Sequence, residues 1–91
     1  MTHPASPDSL PACAPLTRRQ REVLEFIVDH IDRRGWPPTC LEIAEGLSIG
    51  SQNAVRDHCA RLDRKGAIAR SPGVARGIRV LVDPAKVPAP P

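Results

Sequence analysis

The sequence contains no long apolar run. Residues 1–15 lack the apolar core of a signal peptide, and no stretch approaches the roughly 18 apolar residues that a membrane helix needs. We therefore expect a cytoplasmic protein that does not enter a membrane.

The chain has three cysteines, and their spacing argues against two classes of site. Cys13, Cys40 and Cys59 are odd in number and form no C-x-x-C pair, which favours reduced thiols over a disulfide framework. His58 and Cys59, taken with Cys40 or His30, match no common zinc spacing, so no metal is expected. The chain also lacks a nucleophile with an adjacent base, a phosphate-cradling glycine loop and a carboxylate pair. We predict no cofactor and no enzymatic activity.

Acidic residues are missing from one long segment. From Arg64 to Arg79 there are five cations and no acid, whereas the acids of the folding part lie between Glu22 and Asp63. A basic edge on a mixed domain is typical of a phosphate-binding surface. A solvated pair of charged strands would show the same pattern.

Prolines divide the chain into three parts. Four of the eleven prolines lie in residues 1–15 and four in residues 83–91. We predict disordered tails in these two segments, the second of them proline-rich, and a single folded domain at residues 16–82.

Three helices are predicted from their capping residues. Capping boxes begin the first two helices at Thr17 and Thr39, and the N-cap residue Ser51 begins the third. The helices are expected at about 18–34, 40–47 and 52–65, and Gly46 should cost the second about 1 kcal/mol relative to alanine. A short helix, a four-residue turn and a longer helix indicate a helix-turn-helix that reads duplex DNA.

The third helix is amphipathic. At about 100° per residue, one face carries an apolar group and the opposite face a polar group; the apolar group is Val55, Cys59 and Leu62, and the polar group is Asn53, Asp57, Arg61 and Arg64. A purely structural helix would show this split too. The Ser-Gln-Asn-Ala start favours DNA, because small and amide side chains let a helix approach base edges.

A basic hairpin follows. Strands are predicted at 67–69 and 78–82, joined by the turn-rich loop 70–77. The fold class is therefore mainly α with a small β-hairpin, a winged helix-turn-helix of three helices and a two-stranded wing. Arg70, Arg76 and Arg79 would face DNA phosphates.

Six segments resemble the DNA-binding domain of the LexA repressor family, which controls the bacterial DNA-damage (SOS) response. They are L-T-R-R-Q-R-E-V-L at 16–24, G-W-P-P-T at 35–39, E-I-A at 42–44, S-Q-N-A-V at 51–55, R-K-G-A-I at 64–68 and S-P-G-V-A-R-G-I-R-V-L at 71–81. The resemblance implies a transcriptional repressor that binds a double-stranded DNA operator in the bacterial cytoplasm, associated with the nucleoid.

The resemblance also implies site residues. The base-contacting residues would be Ser51, Asn53, Ala54, Arg56 and Asp57, and the backbone-contacting residues would be Thr39, Gln52, Arg61, Arg64, Lys65, Arg70, Arg76 and Arg79. The best-known pattern has acids at both 56 and 57. Arg56 reverses that charge, so a different operator is expected. Ser48 stands where the family often has glycine.

LexA-type repressors continue into a second domain that dimerises and cleaves its own linker with a serine–lysine pair. The lysines are Lys65 and Lys86, and neither is placed to activate a serine, so we expect no self-cleavage and no autoprotease domain. The chain is expected to pair weakly on DNA, to use a LexA-like partner, or to be a remnant of a longer repressor. The alternative function is a protein-interaction module or an anti-repressor that acts on a full-length LexA-like protein.

Overall fold

Three helices precede a two-stranded antiparallel sheet in the computed structural model, which describes residues 15–71, 73–74 and 76–84. The elements are α1 (Arg18–Arg34), α2 (Cys40–Gly46), α3 (Gln52–Arg64), β1 (Ile68–Arg70) and β2 (Ile78–Val80). This is the predicted winged helix-turn-helix. The tails were predicted at 1–15 and 83–91, and residues 1–14 and 85–91 of them lie outside the described residues.

Each helix begins at the predicted cap. The Thr17 hydroxyl accepts the Gln20 N–H at 3.1 Å, and the Gln20 side chain accepts the Thr17 N–H at 3.1 Å. Thr39 and Glu42 make the same reciprocal pair at 3.1 and 2.9 Å. The Ser51 hydroxyl accepts two backbone N–H groups of the first turn of α3. These bonds satisfy donors that a helix leaves free at its N-terminus.

The core lies where the three helices and the base of the wing meet. Its members are at most 5% exposed: Leu16, Val23, Leu24, Ile27, Ile43, Ala44, Val55, Cys59, Leu62, Ala67 and Ile68. Burying one large aliphatic side chain stabilises a fold by roughly 1.5–3 kcal/mol. The apolar faces of the helices therefore hold the helix-turn-helix in place.

The turn between α2 and α3 has two positions where the backbone limits the side chain. Ser48 has φ 56°, a left-handed conformation that favours glycine. Among the described residues, it is the one non-glycine residue with positive φ. This explains why glycine suits this position. A Cβ added at Gly46 would overlap Cε2 and Cζ of Phe26 on α1. The expectation that Gly46 only weakens its helix is thus incomplete, because α1 passes too close for a side chain.

The wing is shorter than the sequence predicted. Its register pairs Ile68 with Val80 and Arg70 with Ile78. The first strand begins one residue later than predicted, and the second ends at Val80 instead of Val82. Beyond the ladder, a single bond from the Leu81 N–H to the Ala67 carbonyl at 2.9 Å continues the pairing.

Candidate nucleic-acid interface

The polar face of α3 is exposed. Asn53, Asp57, Arg61 and Arg64 face solvent, whereas Val55, Cys59 and Leu62 on the opposite side are buried. The predicted division of this helix into a packing face and a free face is confirmed. The N-terminal turn of α3 also carries the partial positive charge of the helix dipole, which favours contact with an anionic surface.

The five candidate base-contacting residues occupy the first two turns of α3. Ser51, Asn53, Arg56 and Asp57 are exposed, and Ala54 is half-buried. The structure thus brings them together at one end of one helix. Their contact with bases stays a prediction.

These side chains differ in whether they already have partners. The Ser51 hydroxyl accepts the N–H groups of Asn53 and Ala54 at 3.1 and 3.3 Å. One Asp57 carboxylate oxygen accepts the Arg61 Nε–H at 2.9 Å. Within the described residues, the side chains of Asn53 and Arg56 have no hydrogen-bond or ion-pair partner.

Two residues that were predicted to contact the DNA backbone, Lys65 and Arg76, form hydrogen bonds with distant parts of the chain. Lys65 Nζ donates to the Pro15 carbonyl at 2.8 Å and to Gln20 Oε1 at 2.6 Å. Gln20 is only 4% exposed, so this lysine satisfies a buried acceptor and ties the end of α3 to the start of α1. Its role at a phosphate stays a prediction.

Arg76 makes the most extensive contact of any wing residue described. Its Nη1 donates to the Pro37 carbonyl and to Glu42 Oε1, both at 2.8 Å, and its Nη2 donates to Glu42 Oε2 at 3.2 Å. The guanidinium thus binds both carboxylate oxygens as a fork. We refer to Arg76, Glu42 and the Pro37 carbonyl as the wing latch.

Glu42 is held ionised by the wing latch. The Arg76 hydrogen bonds, and after them the bond from the Thr39 N–H, lower the pKa of Glu42 from 4.5 to about 2. The His30 ring lies nearby, with Nε2 3.7 Å from Glu42 Oε1. The sequence predicted Glu42 only as a capping residue, because its partner lies 34 positions away.

The other residues predicted to contact the DNA backbone have weaker contacts within the protein, or none among the described residues. Arg70 Nε lies 3.4 Å from Asp63 Oδ2, and both side chains of this pair are partly exposed. Such surface pairs contribute little, about 0–1 kcal/mol. Arg64, Arg79 and Gln52 are exposed and have no side-chain partner within residues 15–71, 73–74 and 76–84. These residues can turn towards a phosphate without breaking an internal contact.

An open cleft of about 500 Å³ separates α3 from the wing. Gln52, Arg56 and Cys59 line it from α3, and Arg70, Ser71, Val74 and Ile78 line it from the wing. The N-terminus of α2, including Thr39 and Leu41, forms the third side. The cleft therefore joins the two elements that a winged helix presents to DNA.

Cys59 is a buried thiol on the packing face of α3. Burial raises the pKa of the Cys59 thiol to about 11, so it stays protonated and packs as a small apolar group. Among the described residues, no group of three or more potential ligands is placed to hold a metal ion. Cys13 lies outside those residues. No described helix has the length and apolar character to span a bilayer.

Comparison with known proteins agrees with this geometry. The family model for the LexA DNA binding domain matches residues 13–77. The chain belongs to this family. The chain is 49% identical over 67 residues to the LexA repressor of Haemophilus influenzae (strain Rd), 51% over 69 residues to that of Vibrio cholerae serotype O1 and 52% over 65 residues to that of Saccharophagus degradans.

The three alignments cover similar parts of the proteins. They include 74%, 76% and 71% of this chain, but only 32%, 33% and 32% of the three repressors. The chain therefore spans about a third of the length of these relatives, and the shared part is the LexA-type DNA-binding domain.

Proposed function

We propose that this protein binds duplex DNA sequence-specifically and represses transcription at an operator. The observation that carries the proposal is the exposed polar face at the start of α3, beside a basic wing, on a LexA-type domain. The relatives named above are repressors, which supports the regulatory role. We place the protein in the bacterial cytoplasm at the nucleoid, in a regulon of the SOS type.

The α3 helix enters the major groove in this proposal. Its small N-terminal residues allow close approach, and the Asn53 amide pairs with the N6 and N7 positions of adenine. Arg64 and Gln52 reach flanking phosphates, and Arg79 on the outer side of β2 meets the backbone along the wing. The phosphate contacts set the position of the domain, and the base contacts select the sequence.

We propose a DNA-binding role without catalysis or self-cleavage. Ser48, Ser51 and Ser71 lie at turns or a cap, and the described lysine, Lys65, donates to Gln20 and to a backbone carbonyl. Nothing in the described part of the chain activates a serine as a nucleophile. This supports a regulator whose action depends on occupancy of DNA.

Affinity requires more than one domain. An isolated basic domain often shows non-specific dissociation constants of roughly 10⁻⁴ to 10⁻⁶ M. Binding of a second copy, or of a LexA-like partner, to an adjacent half-site raises the effective concentration and so the affinity. We therefore propose weak pairing on DNA at half-sites about one helical turn apart.

Selection of bound sequences from a random DNA pool, followed by a mobility-shift assay on the enriched palindrome, tests the proposal. The wild-type protein should shift this DNA and not a scrambled sequence of equal length. Asn53→Ala should lose about 1–3 kcal/mol of preference at one base. Absence of any enriched sequence would reject specific binding. Association with a full-length LexA-like protein that persists at high salt without DNA would favour the anti-repressor function instead.

Arg79→Ala provides the complementary measurement. Loss of a phosphate contact should lower the affinity for all DNA sequences alike. It should also reduce the slope of log K against log salt concentration by about 1. Arg34→Ala is the matched control, because Arg34 is an exposed arginine at the C-terminal end of α1 and is not among the residues predicted to contact DNA. An equal effect of both substitutions would show that only net charge matters.

A further inference from the structure

Hydrogen-bond partners within the chain reduce the set of side chains available to read bases. The Ser51 hydroxyl accepts two backbone N–H groups, and Asp57 Oδ2 accepts from Arg61 one turn later in an exposed ion pair, which is weak. The alanine among the five candidates has no polar group. Of the five candidates, Asn53 and Arg56 are the exposed polar side chains that have no partner among the described residues.

Arg56 lies on the side of α3 that faces the wing. It lines the cleft together with Gln52 and Arg70. It follows Asn53 by three residues, and a helix rises about 1.5 Å per residue, so the two positions are about 4.5 Å apart along the axis. This separation is close to the roughly 3.4 Å between successive nucleotides of a DNA strand. With α3 lying along the major groove, as the proposed function has it, the two side chains would reach the same or neighbouring base steps.

We propose that Arg56 is a specificity-determining residue that reads guanine, next to the base read by Asn53. Its planar fork donates to O6 and N7 of guanine in the major groove, which no other base presents as a pair of acceptors. An acidic side chain in this position would instead accept from the N4 amino group of cytosine. This inference rests on the proposed function, because it concerns the same helix and the same groove.

The experiment compares base selection by wild type, Arg56→Ala and Arg56→Glu. Wild type should enrich guanine at one position of each half-site, and Arg56→Ala should lose this preference by about 5-fold to 150-fold, which is the range for one good bidentate contact. Replacing that guanine with 7-deazaguanine should weaken wild-type binding and leave Arg56→Ala unaffected. Arg34→Ala again controls for the loss of one charge.

Two results would contradict this inference in different ways. Enrichment of the same guanine by Arg56→Ala, with the Asn53-dependent position intact, would overturn the role of Arg56 and leave the proposed function standing. Failure of the wild-type protein to enrich any sequence would reject both. A gain of cytosine preference in Arg56→Glu would support the assignment from the opposite charge.

A second inference comes independently from the wing latch. We infer that Arg76 is a positioning residue that fixes the wing against the N-terminus of α2, in place of the phosphate contact predicted from the sequence. Both carboxylate oxygens of Glu42 and the Pro37 carbonyl already accept from its guanidinium. Turning Arg76 towards DNA would break all of these bonds and leave Glu42, which is negatively charged, without its cation.

Glu42→Gln separates the two roles of Arg76 by the sign of its effect. Glutamine serves at the third position of a capping box as glutamate does, so α2 keeps its cap while the ion pair is lost. If Arg76 acts through the latch, both Glu42→Gln and Arg76→Ala should weaken DNA binding. The double variant should be no weaker than Arg76→Ala alone, and none of the three should change the salt slope.

A phosphate contact by Arg76 predicts the opposite pattern. Glu42→Gln would then free a cation and tighten binding, and Arg76→Ala would lower the salt slope by about 1. Either result, or unchanged affinity in Glu42→Gln, would overturn the latch. Glu45→Gln is the matched control, because Glu45 is an exposed acid on the same helix.

A measurement without DNA makes the test of the latch independent of the proposed function. The Ser71 N–H donates to the Gly77 carbonyl at 2.7 Å within the wing loop. Hydrogen exchange of the Ser71 amide should accelerate in both Glu42→Gln and Arg76→Ala, and not in Glu45→Gln. Unchanged exchange in both latch variants would reject the positioning role.

Discussion

Replacing Gly46 with alanine should destabilise the domain, although it places a better helix former in a helix. Gly46 is the last residue of α2. An added Cβ would overlap Cε2 and Cζ of Phe26 and lie 3.2 Å from its Cδ2. The Phe26 ring packs against the core and has its centroid 6.2 Å from that of His30. The ring must therefore move, or α2 must shift away from α1.

Two opposing effects set the magnitude. Alanine is favoured over glycine in a helix by about 1 kcal/mol. Forcing extra volume into a packed site typically costs about 1–3 kcal/mol. Because the overlap involves two ring atoms, we expect the packing cost to exceed the gain in helix propensity. The free energy of unfolding should therefore fall by about 1 kcal/mol. In a domain of this size that change lowers Tm by roughly 4–8 °C.

Denaturant and thermal unfolding, followed by circular dichroism, measure this effect in a double-mutant cycle with Phe26→Leu. Leucine removes the overlapping ring atoms, so Gly46→Ala should be neutral or stabilising in that background. The coupling free energy should reach at least about 1 kcal/mol, within the range for residues in contact. Gly50→Ala is the control, because nothing lies within 4 Å of its added Cβ. Stabilisation by Gly46→Ala in the wild-type background would refute the packing argument.

Three further predictions concern α2, the start of α3 and the turn between them. Ser48→Gly should raise the free energy of unfolding by about 0.5 kcal/mol, because relief of left-handed strain of about 1–2 kcal/mol exceeds the added unfolded-state entropy; a lower Tm would contradict it. Ser51→Ala should cost about 1 kcal/mol through loss of the α3 cap and weaken DNA binding, whereas Ser51→Asp should restore stability. The pKa of Glu42 falls from 4.5 to about 2 on folding. The contribution of its ionised form to the free energy of unfolding is therefore present above pH 4.5 and is lost as the pH falls towards 2. Acid titration of unfolding should therefore show wild type and Glu42→Gln converging over that range, and parallel curves would argue against the ion pair.

The helices and the free face of α3 were predictable because their signals are local. Thr17 and Gln20 are three residues apart, as are Thr39 and Glu42, so each capping box is visible in the sequence and confirmed in the structure. The amphipathic pattern of α3 likewise repeats within one turn. The wing was predictable in kind but not in its limits, since three-residue strands offer little alternation to read.

It was harder to predict from the sequence which side chains of the site already have partners within the protein. The sequence assigned Arg76 to a phosphate because a basic hairpin often contacts DNA, and nothing local indicated that Glu42 would hold it. Asp57 and Arg61 are four residues apart, so their pair was visible as a helical spacing. That Arg56 has no partner among the described residues could be seen only from the positions of its neighbours.

The sequence alone determined where the helices begin, which face of each turns inward and which family the domain resembles, because these depend on residues within one or two helical turns. Only the tertiary structure decided which charged groups stay free. Arg76 meets Glu42 across 34 positions, and Lys65 meets Gln20 across 45. Such pairs depend on how packed helices and the wing approach one another, and the core fixes that approach through contacts spread over the whole domain.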